Sequence, residues 1–427
     1  MNNRLHDDSG LLRQSILMMA GTLIGALCNA AFHMAVGRIL PNAEYGALAA
    51  MLGLILVVGT PMLAVQNTLA HYIAILQREN RAAEIRPLCL RWLRFFVALA
   101  IIMVAAAIFF RHQLAAFWHV SPALIVTTFA VLAITLWLSL LYGLLQGMQA
   151  FVWLAIAPQA WGALRLLLGW AFTAFVAAQA LLAVVAQGIG VIAVLLLGAI
   201  AIRQMQLPRG RAGTPPPDTL RYLGASLVAL VGYAMLMNLD VTLAKHYFDS
   251  ETAGLFARAA VIARTAVFLP TPIATVLFPK VTTRGEQTAE SWRLLRRALA
   301  LAGLLVAAAA GVCVLWPQLP WTILYGRWTP DIATHAAQWT RAMALAMSPL
   351  AMASVLLNFN LAQRRFVWCY SLIPCALGYI GGVAIWHDSP WQLAAVLGVM
   401  NLLAAILLWA ASCKDHRATL HPPREQE

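Results

Sequence analysis

Three ionisable residues interrupt an otherwise almost wholly apolar stretch of this chain. Asp240, Arg258 and Arg264 fall within residues 221-283, whose composition predicts two consecutive membrane-spanning helices. On insertion scales an ionisable group inside the bilayer costs at least about 2.5–3.5 kcal/mol, so it normally faces a partner, a bundle interior or a water-filled cavity. The three charges therefore predict a polar pathway through the membrane.

Depth along the helices gives these residues different predicted roles. At about 1.5 Å per residue, Asp240 lies about 9 Å from the outer end of its helix and Arg258 about 8 Å from the outer end of the next. We therefore predict that Arg258 pairs with Asp240 or extends to the membrane interface. Arg264 lies about 9 Å deeper than Arg258, near mid-membrane. We interpret Arg264 as a cavity-facing residue that binds an anionic cargo, such as a diphosphate, through paired hydrogen bonds.

Asp240 has two alternative interpretations. A carboxylate that is alternately buried and hydrated changes its proton affinity, so Asp240 could couple transport to H+ or Na+. It could instead be a structural partner of Arg258 or of Lys245. The sequence leaves both alternatives open, and beyond such a coupling ion it predicts no cofactor and no metal site.

Further polar residues lie within other predicted spans. Arg165, halfway along the fifth span, could line a cavity or bond to the carbonyls of a neighbouring helix. The same carbonyl contact, or an interfacial position, is the main interpretation of Arg341 in the tenth span. Polar groups in the second span could line a cavity or join helices by hydrogen bonds. The candidate substrate-binding residues are therefore Arg264, Arg258, Arg165, Asn67 and Gln66.

Prolines inside two of the predicted spans are candidate hinges. Pro61 lies in the second span, and Pro270 and Pro272 lie in the eighth. A proline inside a helix removes a backbone donor and bends the helix, which could create a gating point. A simple kink that improves packing is the alternative.

Composition determines the class of protein that must position these residues. Hydrophobic residues make up 62% of the 427 residues, charged residues 11%, and the mean hydropathy is +0.78. These values exclude an ordinary soluble domain and predict an all-α polytopic membrane protein. Since about 20 apolar residues cross the hydrocarbon core, we predict about twelve transmembrane helices. They lie near 13-36, 47-75, 93-110, 122-146, 151-174, 178-202, 222-246, 253-279, 293-316, 336-360, 366-386 and 391-412.

The basic residues predict the orientation of these helices. With the N-terminus inside, inner segments hold most of the 29 Lys and Arg residues, whereas the outer loops hold only Arg38, Arg111, Lys245 and Arg327. Both termini are therefore predicted to be cytoplasmic. The net charge of +13 is explained by this distribution and not by nucleic-acid binding. The first apolar segment lacks a cleavage site, so we expect it to be retained.

The middle of the chain predicts a division into two halves. Residues 204-220 are rich in Pro, Gly and basic residues and predict a cytoplasmic linker. An N-terminal six-helix bundle, 1-203, precedes it, and a C-terminal six-helix bundle, 221-427, follows. At an offset of about 208 residues, Glu44-Tyr-Gly-Ala-Leu-Ala-Ala50 and Thr252-Ala-Gly-Leu-Phe-Ala-Arg258 open corresponding spans. Such placement is typical of duplicated transporter halves.

Four segments carry a resemblance to a known family. The chain is similar to polysaccharide transporters of the oligosaccharide flippase group, within the multidrug/oligosaccharidyl-lipid/polysaccharide exporter superfamily. Many members of the family have fourteen helices, whereas twelve are predicted here. The matching segments are Gly37-Arg-Ile-Leu-Pro-Asn-Ala-Glu-Tyr-Gly46, Met237-Asn-Leu-Asp-Val-Thr-Leu-Ala-Lys245, Ala253-Gly-Leu-Phe-Ala257 and Phe268-Leu-Pro-Thr-Pro-Ile-Ala-Thr-Val-Leu-Phe-Pro-Lys280.

The resemblance implies both an architecture and an activity. The architecture is two pseudo-symmetric six-helix bundles that face a central cavity. The implied activity is to flip a glycan on a polyprenyl diphosphate carrier across the bacterial cytoplasmic (inner) membrane by alternating access, for surface polysaccharide biosynthesis. The implied partners are the lipid-linked glycan, membrane lipids and polysaccharide polymerase or glycosyltransferase machinery, and the implied state is a monomer.

Two other classes of function compete with this interpretation. An ion-coupled drug or small-molecule antiporter of the same superfamily would share both bundles, but a cavity for organic cations favours acidic residues, and only Asp240 is available. A membrane glycan polymerase or ligase is the nearest enzyme. No nucleophile motif, phosphate-binding loop or metal-ligand cluster supports an enzyme, so we predict a transporter.

Overall fold

The computed structural model describes residues 2–208, 210, 217–268, 289–326, 328–363 and 365–420. Throughout these residues the chain forms helices and turns, without a β-strand. Ten of the described helical segments are long and apolar enough to cross a membrane. The chain is therefore an all-helical, multi-pass membrane protein. The ten segments are Asn42–Arg78, Ala82–Phe109, Pro122–Gly147, Phe151–Phe175, Ala180–Gln204, Arg221–Tyr247, Trp292–Leu315, Ile332–Ala362, Phe366–Ile385 and Pro390–Cys413.

Contacts divide the chain into two compact units, and the first unit runs from Met1 to Leu223. Within it, α1 packs along α7, and α6, α7 and α8 enclose a core of buried Leu, Val and Ala side chains. A short 3-10 turn, Ala82–Glu84, precedes α4. The helices of this unit are α1 (Asn2–Ile39), α2 (Asn42–Gly59), α3 (Met62–Arg78), α4 (Ile85–Phe109), α5 (Arg111–Trp118), α6 (Pro122–Gly147), α7 (Phe151–Phe175) and α8 (Ala180–Gln204).

The second unit runs from Gly224 to Glu427. Its longest helix, α13, contacts α10, α11 and α16 and forms the centre of the unit. Within the predicted linker, 204-220, residues 209 and 211–216 lie outside the described residues, and the next helix already begins at Pro217. The helices are α9 (Pro217–Tyr247), α10 (Ser250–Phe268), α11 (Ala289–Leu315), α12 (Gln318–Tyr325), α13 (Pro330–Ala362), α14 (Phe366–Cys369), α15 (Leu372–Ile385) and α16 (Pro390–Leu420).

Two of the twelve predicted spans are not among the ten segments. The first predicted span lies in α1, whose stretch Leu23–Ile39 is a shorter apolar helix. The eighth predicted span, 253-279, begins in α10, which carries Arg258 and Arg264, and continues beyond the described residues. The count of twelve and the cytoplasmic location of both termini remain predictions.

The second predicted span is divided into two helices at Pro61. Helix α2 ends at Gly59, and α3 begins at Met62. Proline lacks an N–H, so Pro61 cannot donate the next hydrogen bond of the helical ladder. The chain therefore breaks where the proline was predicted to bend it, whereas a role for this break in gating remains a prediction.

The turn between the first two helices, which form a hairpin, lies at equivalent positions in the two units. Ile39 and Tyr247, 208 positions apart, end α1 and α9, and Asn42 and Ser250 begin the next helices at the same offset. The amide of Tyr45 donates to the Pro41 carbonyl at 2.9 Å, and the corresponding bond from Ala253 to Asp249 has the same length. Positions 208 residues apart in the sequence therefore also have similar local backbone geometry.

In each unit, the first helix of this hairpin also packs against a second helix that runs in the same direction. Helix α1 lies along α7, where Gly25 faces Gln159 and Phe32 faces Gly169. Helix α9 lies along α15. At one end of this second pair Gly232 faces the backbone of Leu372, and at the other end the rings of Tyr247 and His387 stack with centroids 4.2 Å apart. The first pair carries the buried Arg165 on α7, and the second carries the buried Asp240 on α9.

Candidate functional site

Asp240 and Arg264 form a buried ion pair between α9 and α10. Nη2 of Arg264 donates to Oδ1 of Asp240, and Nε donates to the Met237 carbonyl at 3.1 Å. The Asp240 side chain is fully buried, and the Arg264 side chain is 10% exposed. Among the described residues, Asp240 makes its ion pair with Arg264 and not with Arg258 or Lys245. The predicted pairing of Asp240 with Arg258 is therefore wrong.

The direction of helical side chains explains this difference. Cα–Cβ bonds tilt toward the N-terminus of a helix. In the hairpin of α9 and α10, the Asp240 side chain therefore leans away from the connecting turn, whereas the Arg264 side chain leans toward it. The two side chains together span the difference of about 8 Å between their depths along the helix axes. Arg258 leans further toward the turn and so moves away from Asp240.

Tyr379 is a neighbour of this ion pair that the sequence analysis missed. It lies on α15, is fully buried, and interacts electrostatically with both Asp240 and Arg264. Its hydroxyl and Oδ2 of Asp240 are both buried, and neither has a hydrogen-bond partner in the part of the chain that the structure describes. The parallel packing of α9 and α15 brings these groups together, and neither helix alone carries a pattern that would reveal it.

Arg258 and Lys245 lie nearer the turn and have their own contacts. The guanidinium carbon of Arg258 lies 4.7 Å from the centroid of the Tyr325 ring, and the Tyr325 hydroxyl donates to the Arg258 carbonyl at 3.1 Å. Lys245, which is 1% exposed, donates to the Ser250 hydroxyl at 2.6 Å. Both cations are buried within the second unit.

In the first unit Arg165 is buried without a carboxylate partner among the described residues. Its Nη1 donates to Oδ1 of Asn29 at 3.1 Å. The guanidinium carbon lies 3.8 Å from the centroid of the Phe32 ring and 5.5 Å from that of Trp161. Nε and Nη2 of Arg165 are buried without an acceptor, as is the indole N–H of Trp161. Cation–π contacts thus hold the charge in place but do not neutralise it.

Tyr45 links Arg165 to a further polar residue, His33. Tyr45 interacts with Arg165 electrostatically. The Tyr45 hydroxyl and Nδ1 of His33 lie 3.2 Å apart. We call this group the Arg165 cluster. It consists of Arg165 on α7, of Asn29, Phe32 and His33 on α1, and of Tyr45 on α2. One feature of the sequence could have indicated this cluster, because the 208-residue offset places Phe32 at the position equivalent to Asp240.

The remaining candidates are not part of either group of charges. The Gln66 amide donates to the Gln146 side chain at 3.1 Å and so joins α3 to α6, which is the helix-joining alternative. Asn67 is exposed. Pro270 and Pro272 lie outside the described residues. Arg341 is exposed, and its Nε donates to the Val314 carbonyl at 2.9 Å, as the carbonyl-contact interpretation predicts.

Outside the spanning segments, Asp249 caps α10. Its carboxylate accepts hydrogen bonds from the amides of Glu251 and Thr252, both at 3.0 Å. Contacts with Thr252 and the other amides favour the charged form and lower the pKa of Asp249 below its ordinary value of 3.8. This arrangement satisfies two amides at the start of α10. Across the described residues, no three His, Cys, Asp or Glu side chains gather into a metal-binding group.

The buried charges are predominantly positive. Among the described residues, the buried charged side chains are four cations and one carboxylate. The carboxylate, Asp240, forms an ion pair with Arg264. The buried polar environment can therefore accept an anion more readily than a cation. The four cations are Arg165, Lys245, Arg258 and Arg264.

Comparisons with known proteins agree with a transporter architecture. No protein-family model matches the chain, and no curated protein matches it significantly. Among solved structures, an inward-facing multidrug resistance MATE family transporter of the MOP superfamily matches with a TM-score of 0.78 and 13% identity, over 97% of this chain and 99% of its own. The lipid II flippase MurJ in an inward closed conformation matches with a TM-score of 0.70 and 14% identity, over 94% and 87%.

A third match comes from Pyrococcus furiosus Vc1 (DSM3638). It is a MOP superfamily transporter, described as having a binding pocket of reverse polarity, with a TM-score of 0.68 and 15% identity over 96% of both chains. At these identities the likeness concerns the fold. The chain therefore has the fold of MOP superfamily transporters, a fold that drug exporters share with a lipid flippase.

Proposed function

We propose that this protein flips a polyprenyl-diphosphate-linked oligosaccharide or polysaccharide precursor across the bacterial cytoplasmic membrane by alternating access, for surface polysaccharide biosynthesis. The observation that carries the proposal is the excess of buried cations over Asp240, the one buried carboxylate of the described residues. A diphosphate headgroup carries negative charge into the membrane, where a guanidinium compensates it through paired hydrogen bonds. The resemblance to oligosaccharide flippases in the sequence leads to the same substrate class.

The two units supply different cationic groups for such a cargo. Arg165 can accept an anion without breaking an ion pair, because no described carboxylate pairs with it. Arg264 can accept one only by sharing or breaking its bond to Asp240. Protonation of Asp240 would weaken that bond and free Arg264. Coupling to H+ through this pair is therefore part of the proposal.

Drug or small-molecule export is the second candidate function. The likeness in fold to a multidrug resistance transporter favours it. An organic cation would need a carboxylate, however, and Asp240 would have to leave Arg264 to bind it. Flipping of an anionic lipid-linked glycan requires no such exchange.

Mass spectrometry of lipid extracts from a deletion strain tests the proposed function. We expect a polyprenyl-linked saccharide to accumulate and the surface polysaccharide to be lost, with both restored by the wild-type chain. A strain that accumulates no lipid-linked saccharide and keeps its surface polysaccharide would contradict the proposal. Increased drug sensitivity with normal glycans would favour the antiporter instead.

A further inference from the structure

The Arg165 cluster contains a guanidinium with one unused edge. We propose that Arg165 binds the diphosphate group of the cargo through its Nε and Nη2 donors. This inference rests on the proposed function, and it assigns the diphosphate to the first unit instead of to the Asp240 and Arg264 pair of the second.

The pattern of contacts around Arg165 singles out this edge. The face of the guanidinium is covered by Phe32, and Nη1 at one end is bound to Asn29. Nε and Nη2 lie side by side on the remaining edge, and both are buried without an acceptor among the residues that the structure describes. Two parallel N–H groups on one edge of a guanidinium match two oxygens of a phosphoryl group. The indole N–H of Trp161, also without an acceptor, is a third donor in the same surroundings.

The electrostatics of the cluster favour an incoming anion. Arginine stays protonated in proteins, so a buried guanidinium keeps its charge. A buried charge without a counter-charge is unfavourable, and aromatic faces compensate it only in part. An anion would supply both the missing charge and the missing acceptors.

The Asn29 side is the exposed side of the cluster. Arg165 is 5% exposed, whereas Asn29, which holds its Nη1, is exposed. Nε and Nη2 are covered in the present conformation. Binding therefore requires a shift of the Asn29 and Phe32 side chains or a new rotamer of Arg165. A site that opens and closes in this way fits a cargo that is occluded during part of the transport cycle.

The test compares purified full-length wild type with Arg165→Met, Arg165→Lys and Arg341→Met. Methionine keeps an unbranched apolar stem and removes the charge, and lysine keeps the charge but removes the paired donors. Arg341→Met removes an exposed arginine whose described contact is the Val314 carbonyl, so it controls for the loss of one positive charge. Each protein is titrated in detergent with undecaprenyl diphosphate, inorganic diphosphate and phosphatidylglycerol, and Tm and Kd are measured.

We expect Arg165→Met to have an equal or higher Tm without ligand and at least a tenfold weaker Kd for undecaprenyl diphosphate. Arg165→Lys should be intermediate, and Arg341→Met should bind like wild type. An Arg165-dependent response to inorganic diphosphate would mean that the diphosphate alone suffices, whereas a response only to the lipid would mean that the carrier chain also contributes. Both results support the proposal.

Three results would overturn it. One is an Arg165→Met variant that binds undecaprenyl diphosphate as tightly as wild type. Another is a lower Tm of this variant with unchanged Kd, which is the behaviour of a purely structural arginine. The third is an equal, Arg165-dependent affinity for phosphatidylglycerol, which would identify a membrane-lipid site. Flipping of a fluorescent lipid-linked glycan in proteoliposomes separates the two proposals, because an inactive wild type contradicts the proposed function and a fully active Arg165→Met contradicts only this inference.

Discussion

Each unit has a buried arginine in contact with a parallel helix pair, α1 with α7 in the first unit and α9 with α15 in the second. The two arginines differ in the partners that bind them. In the first unit Arg165 packs against Phe32 and bonds to Asn29. In the second unit Asp240 occupies the position that the 208-residue offset assigns to Phe32, and it neutralises Arg264. Similar backbones therefore carry one compensated and one uncompensated guanidinium. The partner of each intramembrane arginine is therefore more informative than the number of such arginines.

This difference assigns separate tasks to the two units. When both members of an ion pair are buried, loss of either one destabilises the fold. Such a pair can therefore act as a switch that depends on protonation of the carboxylate. A lone guanidinium held by aromatic rings is ready for an anion from outside the protein. Four substitutions test this difference between the units.

Removal of the Asp240 charge should have the largest effect on stability. Asp240→Asn leaves Arg264 buried without a counter-charge, and we expect the free energy of unfolding to fall by about 3–5 kcal/mol. Equilibrium unfolding in mixed micelles measures this change. The double variant Asp240→Asn/Arg264→Gln should recover most of the loss, because no unpaired charge remains. An unchanged stability of Asp240→Asn would mean that the ion pair is not important for the fold.

Gly232→Ala should separate α9 from α15. A Cβ at Gly232 would lie 2.7 Å from the Leu372 carbonyl carbon and 2.8 Å from the Ile373 nitrogen, and backbone atoms cannot move aside cheaply. Overpacking of this kind costs about 1–3 kcal/mol. The matched change in the first unit is Gly25→Ala, whose Cβ would meet Oε1 of the flexible Gln159 side chain. Unfolding measurements should therefore show the larger loss for Gly232→Ala, and equal losses would contradict this difference in packing.

Asn29→Asp should give the first unit an ion pair like that of the second. The new carboxylate would replace the amide oxygen that accepts from Nη1 of Arg165. Because Asn29 is exposed, we expect a gain in stability of at most about 1 kcal/mol. Neutralisation of Arg165 should also weaken binding of undecaprenyl diphosphate at least tenfold. The control is Asn80→Asp, which adds the same charge at an exposed turn of the same unit. Unchanged binding by Asn29→Asp would contradict the contrast between the units.

The pH dependence of the α10 cap should show the smallest effect. The folded state lowers the pKa of Asp249, so this carboxylate stabilises the fold above its ordinary pKa of 3.8, and the contribution is lost as pH falls through the folded value. The equivalent position in the first unit is Pro41, which makes no side-chain cap. Between pH 7 and pH 3, the Tm of wild type should therefore fall slightly more than that of Asp249→Asn. Parallel curves for the two proteins would show that the cap has no measurable effect.

Much of the fold followed from local features of the sequence. Runs of apolar residues predicted the ten spans that coincide with the long helical segments, because the thickness of the membrane sets their length. Proline chemistry predicted a bend at Pro61, where the structure has two separate helices. The offset of 208 residues predicted that corresponding spans open at equivalent positions, as the helices of the two units do. These features depend on the chain itself and need no knowledge of distant contacts.

The candidate site was predicted less completely. Asp240, Arg258, Arg264 and Arg165 were identified because charges are rare in apolar segments. Depth alone gave Asp240 the wrong partner, since it ignored the tilt of side chains toward the N-terminus of each helix. Tyr379 and Phe32 were missed because an aromatic residue in an apolar helix has no distinguishing pattern.

Hydropathy and charge are properties of each residue and its neighbours, so the membrane class, the helical segments and the excess of positive charge within apolar segments could be predicted locally. Which arginine is neutralised, and which keeps an edge without an acceptor among the described residues, follows from the packing of the helices. That outcome depends on helix direction and on packing between residues far apart in the chain, such as Asn29 with Arg165 and Asp240 with Arg264. The energy of a buried charge is determined by these partners and not by its position in the sequence.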